Sequence, residues 1–227
     1  ILSQNHQSWW QMLPINPLGP GYSPYSSISA MAAEPLLIDT REWLLEGWLK
    51  PKDLLASKTE HSSRAEYKKA YKFKGGIWRH AAQNFFRHGT TQQKKSFATF
   101  KHRQQHWLDD FTLFSAIARK WGTNWQGWPK DLKNRVPNAL AISREHLKDE
   151  IEFYGFLQWQ FEQQWRQLRR KAKSTGVGLI GDLPIFISHG SCDVWANQKL
   201  FLLKKNGSPS HVAGCPPDVF NKNGQLW

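Results

Sequence analysis

The chain has 227 residues, of which 40% are hydrophobic, 14% aromatic and 22% charged. This length and composition support a substantial core and exclude a disordered or fibrous protein. The sequence shows no apolar run of about 18 residues and no secretory leader, so we expect no membrane partner and a cytoplasmic location. Two cysteines, Cys192 and Cys215, predict neither a disulfide framework nor a metal site, and we expect no cofactor.

The charge is strongly basic, because 31 Lys and Arg residues outnumber 18 Asp and Glu residues and give a net charge of +13. Together with 13 tryptophans, this excess would suit a nucleic-acid-binding protein. Many cations, however, fall near the end of one predicted helix, where they complement the negative end of the helix dipole. These cations are Arg166, Arg169, Arg170, Lys171 and Lys173. We therefore attribute much of the excess to solvated helix faces and expect no nucleic-acid partner.

The first element is a strand predicted over residues 8–15, SWWQMLPI. Residues 16–27 follow and are rich in proline and glycine, which predicts an irregular loop that can hold side chains rigidly. Ser23 and Tyr25 are its candidates for a binding role, although an ordinary surface loop fits the composition equally well. Residues 36–39, LLID, predict a second short strand.

Residues 41–175 are predicted to be mainly helical, because apolar side chains recur at steps of three and four. One helix is expected to end at Gly122 and another at Gly176. Trp125 and Trp128, in the loop between them, would serve either as sugar platforms or as packing residues, and we favour packing. The side chains that recur at this spacing form a stripe on each helix. The stripe of the first helix comprises Phe97, Phe100, Gln104, Trp107, Phe111, Phe114, Ala118 and Trp121. The stripe of the second helix comprises Ile151, Tyr154, Leu157, Phe161, Trp165, Leu168 and Ala172.

The central element is predicted over residues 177–187, VGLIGDLPIFI, an apolar run typical of a strand buried on both faces of a parallel sheet. Asp182 stands inside this run. A carboxylate removed from water costs several kcal/mol unless donors or cations satisfy it. Asp182 therefore belongs either to a structural network or to a ligand-binding cleft, and the residues alone favour the structural network.

The last part of the chain is predicted to contain a hairpin and a lid. Asn206 and Gly207 suit the positive backbone angles of a tight turn. Residues 214–227, GCPPDVFNKNGQLW, are stiffened by proline at one end and loosened by glycine at the other. This composition predicts an ordered lid that presents Asp218 and Phe220, with a plain surface connection as the alternative.

Three separated segments, WWQMLPINPLGPGYSPYSS, GDLPIFISHGSCDVW and AGCPPDVFNKNGQLW, resemble the 4-alpha-glucanotransferases (amylomaltases or disproportionating enzymes) of glycoside hydrolase family 77. The resemblance extends through WLDDFTLFSAIARKWG and FLQWQFEQQWRQLRRKA and covers nearly the whole chain. It implies an α/β fold, an incomplete (β/α)8 TIM barrel of the alpha-amylase type with a large helical insertion. Residues 1–40 would form the first barrel strands and a substrate loop, residues 41–175 the insertion and barrel helices, and residues 176–227 the central strand, the hairpin and an acceptor-site lid.

The resemblance also implies transfer of alpha-1,4-glucan segments between maltooligosaccharides by a retaining covalent mechanism. Tyr25 looks like the aromatic platform under the sugar at the cleavage point, and Asp182 like a carboxylate that supports this site through hydrogen bonds. Val219 stands before Phe220 where the family usually has a further aromatic residue, which weakens the expected acceptor stacking. The full set of expected substrate-binding residues is Ser23, Tyr25, Asp182, Asp218, Phe220, Gln225 and Trp227.

No catalytic residue is assigned within the chain. In the family, the nucleophile, the acid/base glutamate and a third aspartate lie on later barrel strands, which we expect beyond Trp227. A retaining mechanism needs two carboxyl groups about 5 to 5.5 Å apart. The alternative is a non-catalytic carbohydrate-binding or interaction protein derived from such an enzyme.

We predict that the isolated 227-residue chain has no glucanotransferase activity, because the nucleophile that the resemblance implies is not expected among its residues. The measurement is glucose release from maltotriose by the purified chain. Release above that of a boiled control would contradict the prediction.

Overall fold

The computed structural model describes residues 1–55 and 63–226. Within these ranges the protein is an α/β chain in which helices dominate. The helices are α1 (Glu42–Leu45), α2 (Pro51–Leu55), α3 (Tyr67–His88), α4 (Thr91–Trp121), α5 (Lys130–Lys133), α6 (Pro137–His146), α7 (Lys148–Ser174) and α8 (Cys192–Ala196). The strands are β1 (Trp9–Gln11), β2 (Gly178–Ile180), β3 (Gly214–Cys215) and β4 (Gln225–Leu226). Of the helices described, none has the length and apolar character required to cross a lipid bilayer.

The strands form two separate pairs. β1 and β2 are parallel and in register from Trp9 opposite Gly178 to Gln11 opposite Ile180, whereas β3 and β4 are antiparallel. A Cβ atom at position 178 would overlap the indole ring of Trp9, so a larger residue there would force this ring to move. Since β1 and β2 run in the same direction, the segments that follow them emerge at the same edge.

Local chemistry explains both ends of α4. Thr90 and Gln93 form a reciprocal capping box at the start of α4, with each side chain accepting a hydrogen bond from the other residue's backbone N–H. Gly122 follows α4 with a φ of 76°, which an L side chain rarely adopts. The predicted end of α4 at glycine is therefore confirmed, and α7 ends at Ser174, two residues before Gly176.

Aromatic side chains fill the two regions of the core. In the first region, Phe85 of α3 contacts the rings of Phe97 on α4 and Phe156 on α7. In the second region, Trp125 and Trp128 are buried with side chains of α4 and α8, so the prediction that they pack in the core is confirmed. Most of both predicted stripes is buried or half-buried, although Trp121 and Leu168 are exposed at the helix ends.

The predicted strand over residues 177–187 is wrong for most of its length. Only Gly178–Ile180 forms a strand, and Leu183, Ile185 and Phe186 are 67%, 81% and 54% exposed. The ladder stops because the side chain of Asp182 accepts the N–H of Leu183 and because Pro184 has no N–H to donate. Within the described chain, β2 pairs only with β1.

The other strand predictions also differ from the structure. The first strand is confined to Trp9–Gln11, within the predicted residues 8–15. The predicted strand at residues 36–39 is wrong, because Pro35–Leu37 forms a 3-10 turn. The side chain of Glu34 caps this turn by accepting the N–H of Leu36, which favours a turn over a strand. The predicted turn is confirmed at Gly207, which has a φ of 84°, and Lys204 N–H donates to the Ser208 carbonyl at 2.8 Å. The positive φ predicted for Asn206 is wrong, and a single bridge between Leu203 and Pro209 takes the place of hairpin strands.

Glutamine side chains on α7 hold the segment that connects the first loop to α1. Gln158 accepts the N–H of Ala33 at 2.8 Å and donates to its carbonyl at 2.9 Å. Gln164 makes the same two-sided contact with the backbone of Asp39 at 2.8 and 2.9 Å. These amides replace the strand partners that residues 33–39 lack, so the segment can be buried without a sheet.

We predict that Gln158→Ala destabilises the protein by about 2–4 kcal/mol, because the buried N–H and carbonyl of Ala33 both lose their partner. The measurement is the free energy of unfolding in urea. Gln167→Ala is the matched control, since Gln167 is exposed on the same helix and should change the stability by less than about 0.5 kcal/mol. Equal losses in the two variants would contradict the role assigned to Gln158.

Candidate functional site

The proline- and glycine-rich loop between β1 and α1 is held by side chains buried within it. Asn16 donates its side-chain amide to the carbonyls of Ala30 and Ala32 at 2.7 and 3.0 Å. Ser27 donates its hydroxyl to the Pro17 carbonyl at 2.7 Å. The loop has no regular backbone pairing, and these contacts fix its path instead.

Two carboxyl groups, the buried Glu34 and the half-buried Asp193, join this loop to the rest of the fold. Glu34 accepts from the N–H of Leu18 at 2.9 Å and from the hydroxyl of Tyr71 on α3 at 2.6 Å. Burial and the neighbouring Glu34 raise the pKa of Tyr71 far above its usual value, so its hydroxyl remains a donor. Asp193 of α8 accepts the N–H of Ala30 at 3.0 Å, and burial raises the pKa of this carboxyl group.

The turn at Pro24–Ser26 presents Tyr25 to solvent. Ser23 begins this turn, and its hydroxyl oxygen accepts the N–H of Tyr25 at 3.2 Å. Tyr25 is 46% exposed, and its hydroxyl donates to a carboxylate oxygen of Asp182 at 2.7 Å. This hydrogen bond raises the pKa of Tyr25, with smaller effects from desolvation and from the charge of Asp182.

The structure thus brings together two residues that are 157 positions apart in sequence. Tyr25 lies in the loop after β1 and Asp182 lies just after β2, so the parallel pairing of the strands places them at one edge. The expectation that Asp182 is buried inside a strand is wrong, because its side chain is exposed. Its oxygens accept from Tyr25 and from the N–H of Leu183.

The predicted lid is an antiparallel ribbon formed by β3, β4 and the loop between them. Asp218 organises the loop by accepting the N–H groups of Phe220 and Asn221 at 2.9 and 2.7 Å. Phe220 is 92% exposed, and Gln225 is exposed on β4. Trp227 lies outside the described residues.

Between the described residues, the hydrogen bonds of the ribbon and those of the Tyr25–Asp182 pair are separate. Among residues 1–55 and 63–226, no hydrogen bond links Asp218, Phe220 or Gln225 to Tyr25 or Asp182. That the ribbon residues bind substrate together with Tyr25 and Asp182 therefore stays a prediction. The same ranges hold no cluster of three or more His, Cys, Asp or Glu side chains arranged to bind a metal ion.

Sequence reasoning missed the residues that support the site. Asn16, Glu34 and Asp193 bind backbone groups far from them along the chain, and no short spacing pattern announces such contacts. The one available signal was a polar residue beside a proline or glycine turn, as with Glu34 before Pro35.

The chain is similar in sequence to known bacterial enzymes. It is 37% identical over 220 residues to the 4-alpha-glucanotransferase of Thermus thermophilus, an alignment that covers 96% of this chain and 43% of that protein. It is 40% identical over 222 residues to the 4-alpha-glucanotransferase of Aquifex aeolicus, covering 97% of this chain and 44% of that protein. The chain thus spans less than half the length of these relatives.

Solved structures give the same result. Amylomaltase from Streptococcus agalactiae, solved in complex with acarbose, matches with a TM-score of 0.93 at 31% identity over 100% of this chain and 46% of that one. Amylomaltase from Corynebacterium glutamicum shares the fold, with a TM-score of 0.72 at 22% identity over 100% of this chain and 31% of that one. The sequence profile of glycoside hydrolase family 77, described as 4-alpha-glucanotransferase, matches residues 1–227. The chain therefore belongs to the 4-alpha-glucanotransferase family, glycoside hydrolase family 77.

Proposed function

We propose that this chain is the glucan-binding part of a 4-alpha-glucanotransferase that transfers alpha-1,4-glucan segments between maltooligosaccharides. The observation that carries the proposal is the hydrogen bond of 2.7 Å between the exposed phenol of Tyr25 and the exposed carboxylate of Asp182. This pair lies where the loops after two neighbouring parallel strands meet, which is the usual position of active sites in parallel α/β folds.

The pair offers the groups that a neutral sugar needs. The exposed ring of Tyr25 can stack against the C–H face of a glucose unit. An ionised carboxylate has about four acceptor positions. Asp182 uses two of them for Tyr25 and Leu183, so two remain for sugar hydroxyls. Ser23 contributes by fixing the turn that carries Tyr25.

We propose further that β1 and β2 are neighbouring strands of a (β/α)8 barrel of the alpha-amylase type. The parallel pairing, with a long helical region between the two strands, supports this arrangement. The exposed apolar side chains after β2, Leu183, Ile185 and Phe186, suit a surface that further barrel strands would cover. In this arrangement, residues 1–40 form the first strands and the substrate loop. Residues 41–175 form the helical part, and residues 176–227 form the central strand, the hairpin and the lid.

The ribbon formed by β3 and β4 is proposed to cover the acceptor glucan. Its loop is ordered by Asp218 and presents the exposed ring of Phe220, while Gln225 offers an amide from β4. We assign Trp227 to the same surface from its place in the family motif alone. An apolar lid favours transfer over hydrolysis, because it excludes water from the covalent intermediate.

We predict that Asp182→Ala lowers the pKa of Tyr25 towards the ordinary value of about 10, because the substitution removes the acceptor and the charge that stabilise the protonated phenol. The measurement is an NMR pH titration of the tyrosine side-chain carbons, with Tyr25→Phe identifying the signal. Asp218→Ala removes an exposed carboxylate elsewhere and should leave this pKa unchanged. An unchanged pKa in Asp182→Ala would show that the pair does not form in solution.

We predict that Tyr25→Ala weakens maltoheptaose binding about tenfold, because the stacking surface and the hydroxyl are both lost. Tyr25→Phe keeps the ring and should lose about twofold to threefold. The measurement is NMR titration of the purified chain, with the beta-linked cellohexaose as the control ligand. Trp121→Ala removes an exposed ring at the end of α4 and is the matched control. Equal weakening in Tyr25→Ala and Trp121→Ala, or equal binding of the two sugars, would refute the proposed site.

A further inference from the structure

The end of α7 carries a row of cations along one face. The row comprises Arg166, Arg169, Arg170 and Lys173, which are exposed and are spaced three, four and seven positions from the first. This spacing places the four side chains on the same side of the helix. They line a cleft of about 680 Å³ together with residues 176–179, which include the start of β2.

The charge of this cleft is largely uncompensated. Arg166 pairs with Glu162 at 2.7 Å, and Glu162 also pairs with Arg103. Arg169, Arg170 and Lys173 make no ion pair and no side-chain hydrogen bond within the described part of the chain, and no acidic side chain of that part lines the cleft. The negative end of the helix dipole offsets about half a unit charge, which leaves a net charge of about +2.5.

The helix dipole alone does not account for this arrangement. Its favourable effect on cations falls off within the last turn of a helix. Lys173 lies in the last turn of α7, whereas Arg169 and Arg170 lie before it. Like charges three or four positions apart repel one another, so the row destabilises the helix unless an anion is bound. The helix dipole therefore accounts for Lys173 but not for Arg169 and Arg170.

We propose that this cleft binds the phosphate group of a small molecule, at a site distinct from the Tyr25–Asp182 pair. A phosphate monoester carries about −1.5 to −2 charges at pH 7, which approaches the net positive charge of the cleft. Two guanidinium groups present planar sets of N–H donors that suit phosphate oxygens. The site lies at the amino end of β2, whereas Asp182 follows its carboxyl end.

The lining favours a small phosphate over a nucleic acid. Within the described residues, no aromatic side chain lines the cleft, so it lacks a surface on which bases can stack. The four cations span seven positions of one helix, about 10 Å, which is room for one or two phosphate groups. The N–H groups of Gly176, Val177 and Gly178 already donate to backbone carbonyls, so anion binding falls to the side chains.

The test measures binding of inorganic phosphate and of a hexose monophosphate to the purified chain by isothermal titration calorimetry at low salt. We expect the triple variant Arg169→Gln, Arg170→Gln and Lys173→Gln to bind at least about tenfold more weakly than the parent chain. Lys171→Gln is the matched control, because Lys171 is on the same helix but does not line the cleft. Its binding should change less than about twofold.

Thermal unfolding followed by circular dichroism separates binding from folding. The triple variant should melt at or above the temperature of the parent chain, because it has lost like-charge repulsion. If the hexose monophosphate binds more tightly than inorganic phosphate, the ligand is a sugar phosphate. If the two bind equally, the ligand is the free anion. Both results support the site.

Three results would overturn the proposal. The first is no detectable phosphate binding at about 10 mM ligand. The second is an equal loss of binding in the triple variant and in Lys171→Gln. The third is tighter binding of a DNA oligonucleotide with a steep salt dependence, which would identify a polyanion surface.

Discussion

The fold depends on polar side chains that satisfy the backbone of segments lacking a sheet partner. Gln158 is buried and takes both hydrogen bonds of Ala33, Gln164 does the same for Asp39, and Glu34 accepts the N–H of Leu18. An unpaired buried N–H or carbonyl costs about 1–3 kcal/mol. The loop that presents Tyr25 and the segment after it therefore have a defined path because side chains of the loop itself and of α7 and α8 replace the missing ladder.

The pairing of two short strands determines where the chemistry can occur. β1 and β2 have three residues each, yet their parallel register directs both following segments to one edge. A rigid loop brings Tyr25 to that edge, and the stop in the ladder after Ile180 leaves the carboxylate of Asp182 exposed. Because it is exposed, this carboxylate avoids the cost of several kcal/mol that removal of an unpaired charge from water would carry.

The sequence predicted α4 and α7 well because their signals are local, whereas α3 was predicted only as part of a helical region and α8 was not predicted. The apolar stripe of α4 and the glycine that follows it are visible in the sequence, and both determine the observed helix. It predicted the extent of β2 poorly, since an apolar run does not reveal where backbone pairing stops. Family motifs identified Tyr25 and Asp182, which meet in the structure, whereas Asn16 and Asp193 were missed because their partners are distant along the chain.

The two halves of α7 show how one helix can hold a core and still carry unpaired charge. From Phe153 to Phe161 it is buried among the aromatic residues of α3 and α4, and this half contributes the stability. Beyond Phe161, Ala172 is buried but its neighbours Arg169 and Arg170 face solvent beside β2. Because packing of the first half holds the helix in place, the second half can tolerate several like charges. The local cost of that repulsion is small, about 0.2–0.5 kcal/mol per pair, and a phosphate bound in the cleft would offset it.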